Sequence, residues 1–174
     1  MKIGLFYGST TCYTEMAAEK IQAAMGEDLV EIFNIKDVSL SDCLQYDIII
    51  FGISTWDFGE LQEDWESSWD DIANLNLQDK IVALFGLGDQ VGYGQWFQDA
   101  LGMLHDQIIP QGANVIGYWP NQGYEFEESK ALTADQEYFV GLSIDDETQY
   151  ELTDERIDQW CEQILEEISA LLSD

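Results

Sequence analysis

Six consecutive residues, Ser9-Thr10-Thr11-Cys12-Tyr13-Thr14, carry the chemistry most easily read from this chain. They follow an apolar run, Ile3 to Tyr7, that reads as a short buried strand, and they lead into a helical pattern over Thr14 to Met25, closed by Gly26. A strand that feeds a helix through a hydroxyl-rich turn aims backbone N–H groups, hydroxyls and the positive end of the helix dipole at one point. That is the chemistry of a phosphate site. The turn contains no lysine or arginine, so the expected ligand carries a single terminal phosphate held by neutral donors. ATP and GTP are disfavoured, because their loop requires G-x-x-x-x-G-K-[S/T].

Two other loops offer complementary groups. Ser54-Thr55-Trp56-Asp57-Phe58-Gly59 is one; the other opens at Leu87-Gly88-Asp89 and runs through Tyr93. A tryptophan on one loop and a tyrosine on the other can sandwich a flat heteroaromatic ring, at roughly 0.5–1.5 kcal/mol per aromatic partner beyond area burial. A flat ring at one end and a monophosphate at the other describe flavin mononucleotide (FMN).

Elements that would bring these loops together are legible as alternating patterns. Further strands are expected at Leu29–Asn34, Ile48–Ile53, Lys80–Gly88 and Asn114–Trp119. Helices are expected at Gln62–Leu75, with Trp65, Trp69 and Ile72 on one face, and at Gly94–Gln111, with Trp96, Phe97, Leu101, Leu104 and Ile108 along one side. A last helix, from about Thr153 to Leu172, has an apolar stripe at 3.6-residue spacing. Strand-helix alternation of this kind implies an α/β doubly wound parallel sheet, with ligands at the carboxyl ends of its strands. The loops after strands one, three and four are therefore the places to search. Residues 119–138 break the rhythm as a long insert that splits strand five, which resumes at Tyr138–Leu142.

At 174 residues the chain is expected to be one domain, 1–174. Six basic against 35 acidic residues give a net charge of −29, which repels nucleic acid and anionic membranes and attracts basic proteins. No apolar run approaches the roughly 18 residues of a membrane span, and a cytoplasmic location is expected. Cys12, Cys43 and Cys161 are an odd, scattered set, and His105 is the only histidine. Neither a disulfide framework nor a metal site follows.

Taken in order, Gly4 through Glu15, Thr55-Trp56-Asp57-Phe58-Gly59-Glu60-Leu61-Gln62, Gly88-Asp89-Gln90-Val91-Gly92-Tyr93, the insert from Gly117-Tyr118-Trp119-Pro120 and the ending Leu152 to Ile157 resemble the long-chain flavodoxins, notably the bacterial flavodoxin 2 group. The resemblance implies a five-stranded sheet of order 2-1-3-4-5 and one non-covalently bound FMN. It also implies one-electron transfer between proteins, using the semiquinone/hydroquinone couple at low potential, without a substrate of the chain's own. Ser9 to Thr14 would cradle the phosphate. Trp56 and Tyr93 would flank the ring, Asp89 would meet its polar edge, and Ser54, Thr55, Phe58, Gly59, Leu87 and Gly88 would complete the site. The Asp57 carbonyl would accept a hydrogen bond from the ring, worth about 1 kcal/mol or roughly 40 mV for one electron. Partners would be basic-faced redox proteins such as a flavin-containing NADP reductase, met by a monomer. Cys12 stands where the family's phosphate turn usually has glycine.

Three other readings are weighed against this. A phosphatase needs C-x5-R, but after five intervening residues Cys12 is followed by Ala18, and the only arginine is Arg156. A response regulator needs acidic residues where Gly8-Ser9 and Ser54-Thr55 stand. An FMN-dependent NAD(P)H quinone reductase would need a second nucleotide site, and no basic residue lies near the loops to hold one.

Overall fold

The computed structural model describes residues 1–173. In chain order the elements are β1 (Ile3–Tyr7), α1 (Tyr13–Met25), β2 (Val30–Asn34), β3 (Ile48–Trp56), β4 (Glu60–Leu61), α2 (Glu63–Ser68), β5 (Ile81–Leu87), α3 (Asp99–Ile108), β6 (Asn114–Ile116), β7 (Trp119–Pro120), β8 (Tyr138–Phe139), β9 (Leu142–Ile144) and α4 (Tyr150–Leu172). The apolar runs of β1 and β5 are buried along their whole length, as strands covered on both faces must be. β1 pairs in parallel with β2 and β3, β3 with β5, and β5 with both β6 and β9. Counting the main parallel strands alone, the expected order 2-1-3-4-5 is found as β2-β1-β3-β5-β6, with β9 continuing the last position.

Strand five is split as expected, but its second half lies further along the chain. β6 pairs with Ile81–Ala83 and β9 with Phe85–Leu87. Tyr138–Phe139 instead forms a small antiparallel ladder with Trp119–Pro120 inside the insert. The insert owes its order to an aromatic core of its own, in which Phe97, Tyr124, Phe126 and Phe139 meet at centroid distances of 5.1–5.8 Å. Tyr124 accepts from Trp119 Nε1 and donates to the Ser143 carbonyl. The only arginine, Arg156, lies over the Tyr124 ring at 4.1 Å and donates to Gln149 Oε1 and the Gly123 carbonyl. It fastens the insert to α4.

Two of the expected helices are interrupted. The second is α-helical only over Glu63–Ser68 and tightens to 3-10 geometry over Trp69–Asn74. The third is broken at Gln98, which has φ 61° and sends Nε2 to the carbonyls of Gly86 and Ile144. One buried amide thus ties β5 to the end of β9, and Phe97 stays in the core while Trp96 lies half-buried outside it. A further 3-10 segment, Leu40–Gln45, bridges β2 and β3.

On α3, Gly102 is a point of close approach: a Cβ there would lie 2.2 Å from the Lys130 carbonyl oxygen. In an open helix, glycine to alanine gains about 0.5–1 kcal/mol. Here overpacking against fixed backbone costs about 1–3 kcal/mol, so Gly102→Ala is expected to lower stability in urea unfolding. An increase would show that the insert backbone yields freely.

Candidate functional site

A cavity of about 310 Å³ opens at the carboxyl edge of the sheet, lined by Thr11, Tyr13, Ser54, Thr55, Trp56, Asp57, Leu87, Gly88, Asp89, Tyr93, Asp146 and Glu147. Ten of these twelve belong to the three loops singled out from the sequence. The amino end of α1 has no side-chain cap, which leaves its first-turn N–H groups available to an anion. Ser9 Oγ is buried without a partner, and so is Trp56 Nε1. Unmet hydrogen-bonding capacity of this kind is costly in a finished interior. Trp56 lines the cavity, whereas Ser9 stands in the turn beside it, two residues before the lining residue Thr11; neutral donors with no cation suit a single terminal phosphate.

Other expected site residues shape the cleft without lining it. Thr14 is buried and shares a hydrogen bond with Ser54 Oγ, which joins the phosphate turn to the end of β3. Thr10 is exposed, and its Oγ1 accepts from Gln62 Nε2. Cys12 is exposed and takes the left-handed conformation, φ 69°, immediately before α1. The turn therefore keeps the backbone that a glycine would adopt, at a strain of roughly 1–2 kcal/mol.

The ring-side loop is a hairpin. Trp56 pairs with Glu60 across a connection in which Asp57 and Gly59 have φ 42° and 86°. Aspartate tolerates such backbone better than most residues, and glycine adopts it freely. Phe58 is 65% exposed at the tip and packs edge-on against Trp96 at 5.0 Å and Tyr93 at 6.2 Å. Thr55 Oγ1 accepts from the Ala100 N–H, which pins the hairpin to α3. In the third loop, Asp89 Oδ1 accepts from the Val91 and Gly92 N–H groups at 3.0 and 2.7 Å, so much of this carboxylate is spent shaping its own turn.

The sequence reading missed Asp146 and Glu147. They follow β9 after the single residue Asp145, at the carboxyl edge of the last strand. The signal was present, but it needed the resumed strand to end at Ile144. Burial raises the Asp146 carboxyl above its ordinary range, although Thr153 and Lys20 oppose the shift. Asp145 beside it is fully buried, and its two oxygens accept from Gln90 N and Nε2, Glu147 N, and Thr148 N and Oγ1. Gln90 Oε1 in turn accepts from the Glu125 N–H of the insert. Two of the cleft loops and the insert are thereby one connected unit. Cys43 and Cys161 are buried free thiols pushed up to about 12 by burial, which leaves them chemically quiet.

Comparison with known proteins agrees with this geometry. A family model described as "Flavodoxin" matches residues 5–160. The chain is 60% identical over 169 residues to "Flavodoxin 2" of Escherichia coli, covering 97% of this chain and 98% of that one. It is 47% identical over 166 residues to a flavodoxin of Haemophilus influenzae, covering 95% of each. Among solved structures, a Fusobacterium nucleatum flavodoxin bound to flavin mononucleotide superposes with a TM-score of 0.89 at 28% identity, covering 95% of this chain and 98% of that one.

Two outcomes follow from the site itself. Cys12→Gly relieves the left-handed strain but adds about 0.5–1 kcal/mol of unfolded-state entropy. A net gain of about 0.5–1 kcal/mol is expected by urea unfolding, and a loss would show that the thiol makes a stabilising contact. Asp99 opens α3 beneath the hairpin, is nearly buried, and has its carboxyl raised by burial against the opposing Lys130 N–H and charge. Because the folded value lies above the unfolded one, its contribution is fully present in acid and is lost as pH rises through the folded value. Asp99→Asn should therefore stabilise the protein at neutral pH, and the gain should fade toward about pH 4. A pH-independent gain in thermal unfolding would refute this assignment.

Proposed function

Because the chain belongs to the flavodoxin family, we propose that the cleft described above is its FMN site, and that the whole chain works as one FMN-binding unit. The protein is an electron carrier and not an enzyme with a substrate of its own. The observation that carries the site assignment is the uncapped, cation-free start of α1, with the orphaned Ser9 hydroxyl, beside a cavity walled by Trp56 and Tyr93. FMN, when bound, supplies one-electron chemistry; the chain supplies placement and field.

In this reading Ser9 to Thr14 hold the phosphate through hydroxyl and backbone donors, and Trp56 and Tyr93 hold the ring between them. The Asp57 carbonyl sits in a backbone state that can reorient at modest cost, and it offers an acceptor to a ring N–H. Asp57, Asp89, Asp146 and Glu147 surround the cavity with carboxylates. Each charge about 10 Å away disfavours an arriving electron by roughly 0.4 kcal/mol in water-like dielectric. Summed, they bias the carrier toward low potential.

The partner is proposed to be a basic-faced redox protein, such as a flavin-containing NADP reductase, that meets a monomer in the cytoplasm. Phe58, Val91 and Tyr93 form exposed apolar surface at the cleft rim. Glu60 of the hairpin and Glu63, Glu66, Asp70 and Asp71 on the segment that follows it stand exposed. Apolar contact with an acidic surround suits a cationic partner whose association slows as salt rises. No helix among the described residues is long and apolar enough to cross a membrane.

Purified protein is expected to bind FMN with flavin absorbance bands and to oxidise NADPH only when a reductase is added. Sustained NADPH oxidation by the protein alone would favour a quinone reductase instead. Tyr93→Leu should weaken FMN binding by about 2- to 12-fold, the equivalent of 0.5–1.5 kcal/mol of lost stacking. Unchanged affinity by fluorescence titration would remove Tyr93 from the site.

A further inference from the structure

We propose that Gln62 is the positioning residue of the phosphate turn, an inference that rests on the turn Ser9–Thr14 being where the FMN phosphate sits. Gln62 is 0% exposed and occupies the cap position before α2. Its Oε1 accepts from the Asp64 and Trp65 N–H groups at 3.2 and 3.3 Å. Two backbone donors fix which end of the amide is oxygen, and this forces the NH2 group toward the turn. Both of its protons are used, on Thr10 Oγ1 at 3.1 Å and Asp64 Oδ2 at 2.9 Å.

The residue type supports the assignment. Glutamine is not among the side chains that best cap a helix; serine, threonine, aspartate and asparagine are. Its extra length lets it cap α2 and still reach Thr10. The space it needs is kept open by Gly8, where a Cβ would fall 2.2 Å from Gln62 Oε1 and 2.9 Å from Trp65 Cδ1. Trp65 is anchored in turn by donation from its Nε1 to the Gly52 carbonyl at 2.8 Å. Gln62 therefore transmits the position of β3 and α2 to the exposed part of the turn, Thr10 to Cys12, whose residues are short. It lies on the segment that leaves the ring-side hairpin, and so sets the spacing between the phosphate and ring ends of the ligand.

The test compares FMN with riboflavin, which carries the same ring without the phosphate. Affinities are measured for the wild type, Gln62→Ser, Thr10→Val and the double variant. Serine keeps a good helix cap but cannot reach the turn. FMN affinity is expected to fall about fivefold in each single variant, in proportion to one lost hydrogen bond. Riboflavin affinity should change by less than twofold, and the double variant should be no weaker than either single one, since both break the same contact. Equal weakening of both ligands, or losses that multiply in the double variant, would reduce Gln62 to a structural cap and overturn the proposal. If Gln62→Ser does not fold, Gln62→Asn, which keeps an amide at the cap but is one methylene too short to reach Thr10, still decides: an unchanged FMN-to-riboflavin ratio overturns it. A wild type that binds riboflavin as tightly as FMN would instead defeat the phosphate-turn reading, and the role of Gln62 with it.

Discussion

A carboxyl group with no solvent and no cation beside it holds the cleft together. Asp145 is fully buried, and five donors satisfy it, all of them neutral and all from two loops that leave different strands. Removing such an acceptor would orphan the two buried donors of Gln90 at once, each worth roughly 1–3 kcal/mol when left unmet. The Asp89–Tyr93 loop, the Asp146–Glu147 corner and the insert at Glu125 are therefore not independent. A ring-binding wall made from separate loops needs a lock of this kind, because loops carry little packing of their own.

Neutral donors recur wherever the molecule handles negative charge. Lysine and arginine are absent from the cavity lining, and Arg156 is committed to Tyr124, Gln149 and Gly123. At net charge −29, a cation in the cleft would be drawn into pairs with its many acidic neighbours. Hydroxyl and backbone donors escape that competition, because their direction is set by the turn and not by charge. The same acidity that burdens anion binding at the cleft favours a cationic partner at its rim.

Much of this was legible from residue order. Continuous apolar runs gave β1, β3 and β5, and the hydroxyl-rich turn after β1 marked the anion end of the site. What escaped depended on side chains reaching across the fold. The helical pattern at 94–111 continues through Phe97 and Gln98, and nothing local announces that Gln98 will turn its amide onto Gly86 and Ile144. Asp146 and Glu147 were overlooked because Tyr138–Phe139 has as strand-like a composition as Leu142–Ile144, and only the pairing partner tells them apart. Gln62 looked like an ordinary first residue of a helix. Residue order leaves open whether Cys12 keeps the backbone of the glycine it replaces or starts an ordinary helix, and the structure gives it the left-handed conformation.

The divided outer strand has a consequence for life in a crowded solution. A sheet that ends in one long, straight strand offers a continuous row of amide and carbonyl groups to any extended peptide, the usual starting point for edge-to-edge clumping. Here that margin consists of two three-residue pieces with a folded aromatic lobe between them. An intruding chain could match only a few rungs before meeting an obstruction. The interruption thus works as a guard on this margin of the sheet.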